Sequence, residues 1–235
     1  YNKTGLVRDI NTQVKRILKV ATDYGFDDNL WHNYLTFFLM MSENPFSMTC
    51  EKVGASDGSV NELVENDFRI FKELFDYDFG PIEKDLGINC FSQISNYKAI
   101  HKKDLMYNKN VSEKVRSLSK KLEAAKDEKE FFDAVTGFYK DYGVGMFGLN
   151  KAFRIDDTPQ GSFTFRAINN MDTVMLDDLV GYEIQKKKLV DNTEAFVQGK
   201  KANNVLLFGD SGTGKSTSIK AIVNQYYKDG LRMIE

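Results

Sequence analysis

Val205-Leu206-Leu207-Phe208-Gly209-Asp210-Ser211-Gly212-Thr213-Gly214-Lys215-Ser216 decides how the C-terminal part of this chain is read. A chain of phosphates needs several donors converging at short range, and glycine lets the backbone curl with no Cβ in the way. Gly209, Gly212 and Gly214 meet that need, with Asp210, Ser211 and Thr213 completing the loop. A helix opening near Lys215 would add unpaired N-terminal amides and the positive end of its dipole. Lys215 is expected to neutralise β- and γ-phosphate oxygens, and Ser216 to ligate a bridging Mg2+. Thr217 is expected to hydrogen-bond near the α-phosphate. The spacing Gly-x-x-x-x-Gly-Lys-Ser therefore predicts a P-loop that binds ATP or GTP with Mg2+, with Lys215 as its catalytic residue. A Gly-rich turn without a ligand is the bland alternative. The apolar run before the loop and the Ile219, Ile222, Val223, Tyr226 face after it supply the strand-to-helix setting that the chemistry requires.

Working outward, Asp177 or Asp178 opens a region with a helix over Glu183 to Val197 that ends near Gly199. A strand is expected over Asn204 to Phe208, a helix over Lys215 to Lys228, and the start of another strand over Leu231 to Glu235. That order is the opening βαβ unit of a parallel sheet. Upstream, short stretches over Ala152 to Ile155 and Ser162 to Ile168 flank the turn signal Thr158-Pro159-Gln160-Gly161 and predict a β-hairpin.

Earlier still, the periodicity is helical. Ile10, Val14, Ile17, Leu18 and Ala21 define a helix over residues 8 to 22, and Leu30 to Met41 a second. Asn44-Pro45 is expected to close it, with a loop from Thr49 to Gly58. Ser59 and Glu62 form a capping-box pattern ahead of a helix reaching Phe75, and Gly80-Pro81 ends that region. Ile82 to His101 fits neither period. Ser112 to Ala125 and Glu128 to Tyr139 read as two further helices, with Gly143 as a C-terminal cap. The aromatics Phe37, Phe38, Phe71, Phe75, Phe131, Phe132, Phe138 and Tyr139 are expected to build the core of this part.

Composition narrows the function classes. The chain has 235 residues, 42% hydrophobic and 28% charged, as an ordinary globular protein does. A formal net charge of -2 leaves no global positive field to hold nucleic acid or an acidic membrane. No apolar stretch approaches the roughly 20 residues that span a bilayer, and the N-terminus lacks a signal-peptide core. A cytoplasmic location is expected, and Asn2-Lys3-Thr4 and Asn110-Val111-Ser112 then match the glycosylation pattern by accident. Tyr1 in place of Met is compatible with a start inside a longer protein. Cys50 and Cys90 have no metal-ligand spacing and read as buried thiols. His32 and His101 sit in unrelated settings and read as structural, and Lys186-Lys187-Lys188 as a solvated helix face.

Asp177-Asp178-Leu179-Val180-Gly181-Tyr182-Glu183-Ile184-Gln185-Lys186, then Asn203-Asn204-Val205-Leu206-Leu207-Phe208 and the P-loop together resemble the AAA+ ATPases. Asn192-Thr193-Glu194-Ala195-Phe196, Ala202-Asn203-Asn204-Val205-Leu206-Leu207 and Gly230-Leu231-Arg232-Met233-Ile234-Glu235 resemble, more closely, the uncharacterised bacterial ATPases grouped as DUF815. The resemblance implies that Leu179, Val180 and Gly181 pass beside the adenine and favour ATP over GTP. It implies that β-strand Leu231 to Glu235 is separated from the P-loop strand by two others. It further implies hydrolysis by Walker B acids, sensor residues and an arginine finger, none of which these residues contain. The chain therefore reads as the N-terminal part of a longer ATPase and is expected to be inactive alone.

The expected fold is α/β: a P-loop NTPase, AAA+-type parallel sheet, incomplete at the C-terminus, after a mainly α-helical N-terminal domain with a small β-hairpin. Residues 1–145 form the helical domain, of unassigned role, 146–170 the hairpin region and 171–235 the first part of the nucleotide-binding domain. ATP and Mg2+ are the expected ligands. A homo-oligomer, as in AAA+ relatives, and an unknown protein partner for the N-terminal domain are the expected partners. Another P-loop class, a kinase or a GTPase, and a non-catalytic nucleotide-responsive interaction module are the alternatives. An acidic pair after a later strand, or an Asn-Lys-x-Asp motif, would separate them.

Overall fold

Short polar side chains start the helices of the N-terminal half by accepting a backbone N–H that the first turn leaves unpaired. In the computed structural model, which describes residues 2–55, 58–100, 107–159 and 161–235, Asn2 caps α1 (Lys3–Tyr24) and Asn29 caps α2 (Leu30–Met41). Asn44 caps α3 (Pro45–Val53), and α4 (Ser59–Phe75), α5 (Gly80–Leu86) and α6 (Cys90–Ser95) follow. Asn108 and Asp127 open α7 (Lys109–Ala124) and α8 (Glu128–Tyr142), and α9 (Gly145–Leu149) ends the first of two compact units, Tyr1–Leu149. Among the described residues no helix is long and apolar enough to cross a membrane.

α2 ends at Met41 ahead of Asn44-Pro45, as expected, but two prolines also start further helices. Pro45 occupies the first turn of α3, where its missing N–H costs nothing, and Asn44 and Ser47 cap each other reciprocally. The loop expected from Thr49 to Gly58 is thus helical to Val53. Gly80-Pro81 likewise opens α5 instead of ending the region. Gly58 is the cap residue of α4, so Ser59, expected as the cap, is its first helical residue. His101, Lys102, Lys103 and Gln160 lie outside the described residues.

The core of this unit is aromatic, as its periodicity predicts. Phe68 meets Phe132 edge to face at 4.9 Å, and Phe75 meets Phe131 at 5.6 Å. Phe131, Val135 and Leu122 are fully buried, while Phe38 stays half exposed at 52%. Fully burying one such side chain contributes about 1.5–3 kcal/mol. The hydroxyl of Tyr139 donates to the Leu39 carbonyl at 2.8 Å, and burial pushes its pKa well up. His32 stacks on Phe75 with centroids 3.9 Å apart, and its Nε2 meets the Phe75 carbonyl oxygen at 2.8 Å.

The second unit, Asn150–Glu235, mixes helix and sheet. β1 (Ala152–Asp157) pairs antiparallel with β2 (Phe163–Ala167), from Phe153 opposite Ala167 to Asp157 opposite Phe163. Arg154 and Arg166 face each other across this pair. Each is matched by a carboxylate, Glu235 for Arg154 and Asp156 for Arg166. β3 (Met233–Ile234) joins the other edge of β1 in parallel, giving the order β2-β1-β3. Helices α10 (Glu183–Val197) and α11 (Lys215–Tyr226) pack through Leu189, Ala221, Ile222 and Tyr226, with Leu176 from a 3-10 turn at Leu176–Asp178.

One predicted element is absent. Asn204 to Phe208 forms no ladder, and Leu206 and Phe208 are 82% and 87% exposed. A strand this apolar is stable only when neighbours pair both edges and layers cover both faces. Among the described residues β3 lies on β1 instead, so the run has no neighbour to pair with.

Candidate functional site

The loop after Phe208 takes the shape its glycines allow. Gly209, Gly212 and Gly214 have φ of 143°, 81° and 78°, values that a side chain would strain. Built Cβ atoms at Gly212 and Gly214 would meet no atom within 4 Å, so the constraint at these two positions is backbone conformation, not crowding. Gly214 is the left-handed N-cap of α11, and no side chain caps that helix. Among the described residues, the amides of Gly212, Gly214, Lys215 and Ser216 donate to no acceptor, while a turn over Ser211 and Gly212 brings the Thr213 amide toward the Asp210 carbonyl. The free N–H groups lie at the positive end of a helix, which suits an anion.

Lys215 is folded back over this loop. Its Nζ donates to the carbonyls of Gly209 at 2.8 Å and Asp210 at 2.6 Å, and lies 3.3 Å from Thr213 Oγ1. Thr213 in turn donates to the Asp210 carbonyl at 2.8 Å. Asp210, Ser211 and Ser216 are exposed, and Thr217 is half-buried. The Ser216 hydroxyl has no protein partner among the described residues and is available as an oxygen ligand. Oxygen from Ser216 together with phosphate oxygens is the donor set Mg2+ prefers.

Leu179, Val180 and Gly181 reach the neighbourhood of α11 through one side chain. Leu179 packs against the Leu176, Leu189, Ala221, Ile222 and Tyr226 cluster, whereas Val180 is 94% exposed. Gly181 and Tyr182 both have positive φ, 83° and 56°. For Tyr182 this left-handed geometry costs about 1–2 kcal/mol. Lys186 was expected on a solvated face with Lys187 and Lys188, but only 18% of its side chain is exposed. Its Nζ donates to the Leu179 carbonyl at 2.7 Å and pairs with Glu183 at 2.8 Å. The Glu183–Lys186 spacing of three was the available signal. Lys187 fits the expectation, pairing in solvent with Asp191.

Sequence reasoning missed a second set that fixes α11. The Asn224 amide donates to the carbonyls of Asp172 at 2.7 Å and Val174 at 2.9 Å, and Lys151 Nζ donates to its oxygen at 3.0 Å. Lys220 pairs with Asp172 at 2.5 Å. Burial lowers the Lys151 pKa. At the other end, the Asn192 amide exchanges two hydrogen bonds with the Asn203 backbone, 2.9 and 2.8 Å, anchoring the entry to the apolar run.

Residues 149–235 match the family model described as "Protein of unknown function (DUF815)", which bears out the family resemblance over that segment. A 58-residue stretch is 40% identical to the replication factor C large subunit of Methanococcus vannielii. This match covers 25% of the chain and 12% of that relative's length. No solved structure matches the chain.

Proposed function

We propose that this chain binds ATP with Mg2+ as part of an AAA+-type P-loop ATPase. The observation that carries the reading is the Gly209–Ser216 loop: three glycines at positive φ open α11 and leave its first amides unpaired. Gly209, Asp210, Ser211, Gly212, Thr213 and Gly214 wrap the phosphates, and Lys215 exchanges its carbonyl partners for phosphate oxygens. Ser216 would hold Mg2+, whose charge neutralises the phosphates when bound, and Thr217 bonds near the α-phosphate. Leu179, Val180 and Gly181 border the adenine. The sequence likeness to DUF815 and to a replication factor C subunit supports this reading.

The same reading takes the unit around α11 as a P-loop NTPase fold and assigns residues 1–145, 146–170 and 171–235 to helical, hairpin and nucleotide-binding parts. Hydrolysis belongs to a chain that also carries Walker B acids, in an assembly of several copies, and a cytoplasmic site suits such an enzyme. Calorimetric titration with ATP and Mg2+ tests the proposal. Saturable binding that Lys215→Ala weakens at least tenfold is expected, and equal binding by that variant would overturn it.

A further inference from the structure

Within the segment Leu179-Val180-Gly181-Tyr182, Leu179 is held by side-chain packing and at its carbonyl, and Tyr182 by its carbonyl, which accepts from the Lys186 backbone N–H at 2.8 Å. The Leu179 side chain lies in the cluster beneath α11, and the Leu179 carbonyl oxygen accepts from Lys186 Nζ at 2.7 Å. Between these two anchors, Val180 and Gly181 have no side-chain packing. Val180 is 94% and Tyr182 59% exposed, and nothing lies within 4 Å of where a Gly181 Cβ would stand. Gly181 and Tyr182, both left-handed, then turn the chain into α10.

Lys186 is the residue that spans this turn. Glu183, one helical turn earlier, holds its ammonium at 2.8 Å, and the Lys186 side chain is 18% exposed against 75% for Lys187. A cation in the first turns of a helix opposes the helix dipole, so its position there gains little for α10 beyond the Glu183 pair. It does satisfy a backbone carbonyl that the turn leaves without a helical partner.

We propose that Lys186 is a positioning residue for the base end of the nucleotide. By fixing the Leu179 carbonyl it holds the Leu179-Val180-Gly181 backbone in one arrangement before ligand arrives. A base read by backbone groups is bound tightly only where those groups are already ordered, because otherwise binding must order them. The phosphate loop is fixed separately, by its glycines and by α11. Lys186 therefore sets affinity for the nucleoside part of ATP and leaves affinity for the phosphates alone. This inference rests on the reading that ATP lies along the P-loop and this segment.

The test compares two ligands on the full chain: ATP and inorganic triphosphate, each with Mg2+, titrated into the wild type and Lys186→Met. Met keeps an unbranched apolar stem and removes the donor. The expected result is about a tenfold loss of ATP affinity with triphosphate affinity unchanged. Triphosphate binding also reports that the variant is folded. Unchanged ATP binding, or an equal loss for both ligands, overturns the role of Lys186. A wild type that binds neither ligand overturns the ATP-binding reading itself, a different outcome from either.

Discussion

Lys215 donates from Nζ to the carbonyl of Gly209 at 2.8 Å, so the cation expected to meet phosphate rests on the backbone of its own loop. These bonds are exposed, and exposed polar contacts contribute little to stability. Lys215→Ala is therefore expected to change unfolding free energy by no more than about 0.5 kcal/mol. Urea titration of the variant beside the wild type checks this, and it separates lost nucleotide binding from lost folding.

Leu206 and Phe208 stand 82% and 87% exposed. Replacing either by Ser is expected to shift stability by at most about 0.5 kcal/mol and to reduce binding of an apolar dye. A loss above about 1.5 kcal/mol for either variant would mean that the side chain is buried in the folded protein.

The Tyr139 hydroxyl reaches the Leu39 carbonyl inside the helical unit, where both are shielded from water. Tyr139→Phe keeps the ring and strands the carbonyl, at an expected cost of about 1–2 kcal/mol. The urea midpoint should fall while the slope holds, because the surface exposed on unfolding is unchanged.

Gly148 admits no side chain. A Cβ built there lies 2.3 Å from the Gly143 carbonyl carbon and 2.5 Å from its oxygen, and backbone cannot swing aside as a side chain can. Gly148→Ala is expected to cost about 2–3 kcal/mol. A thermal midpoint matching the wild type would contradict the close approach of Gly143 and Gly148.

His32 supplies a pH dependence. Burial lowers its pKa from 6.5, outweighing the Phe75 carbonyl and the Glu123 and Asp76 carboxylates, which raise it, while Lys72 also lowers it. The unfolded chain thus binds a proton more readily than the folded one, and stability falls as pH drops below 6.5. Between about pH 7 and about pH 5.5 the unfolding free energy should decline, and His32→Gln should flatten that decline. Identical slopes would remove His32 as the cause.

What could be read from sequence was what is local. The spacing of apolar residues places α2 and α10 at their observed bounds, and the glycines of 209–214 carry the loop geometry in their identity. Pro45 and Pro81 read as endings, yet proline also starts helices; the reciprocal bonds of Asn44 and Ser47, which mark Pro45 as a start, exist only once α3 forms. The run 204–208 has strand composition, but a strand is a relation between chains of residues, and no ladder partner is found for it among the described ones. Lys186 looked like its neighbours Lys187 and Lys188 because its partner is a backbone carbonyl, to which composition is blind.

β1 lies between a partner a few residues away and one that follows α10 and α11. The β1–β2 hairpin can close within microseconds of being made, whereas the parallel pairing of Ala152 with Met233 must wait for the intervening helices to fold and bring the chain back. During synthesis the inner edge of β1 is consequently bare for as long as the ribosome takes to reach Met233. Over that interval its unpaired N–H and C=O groups form an open strand edge, the kind on which another strand can add.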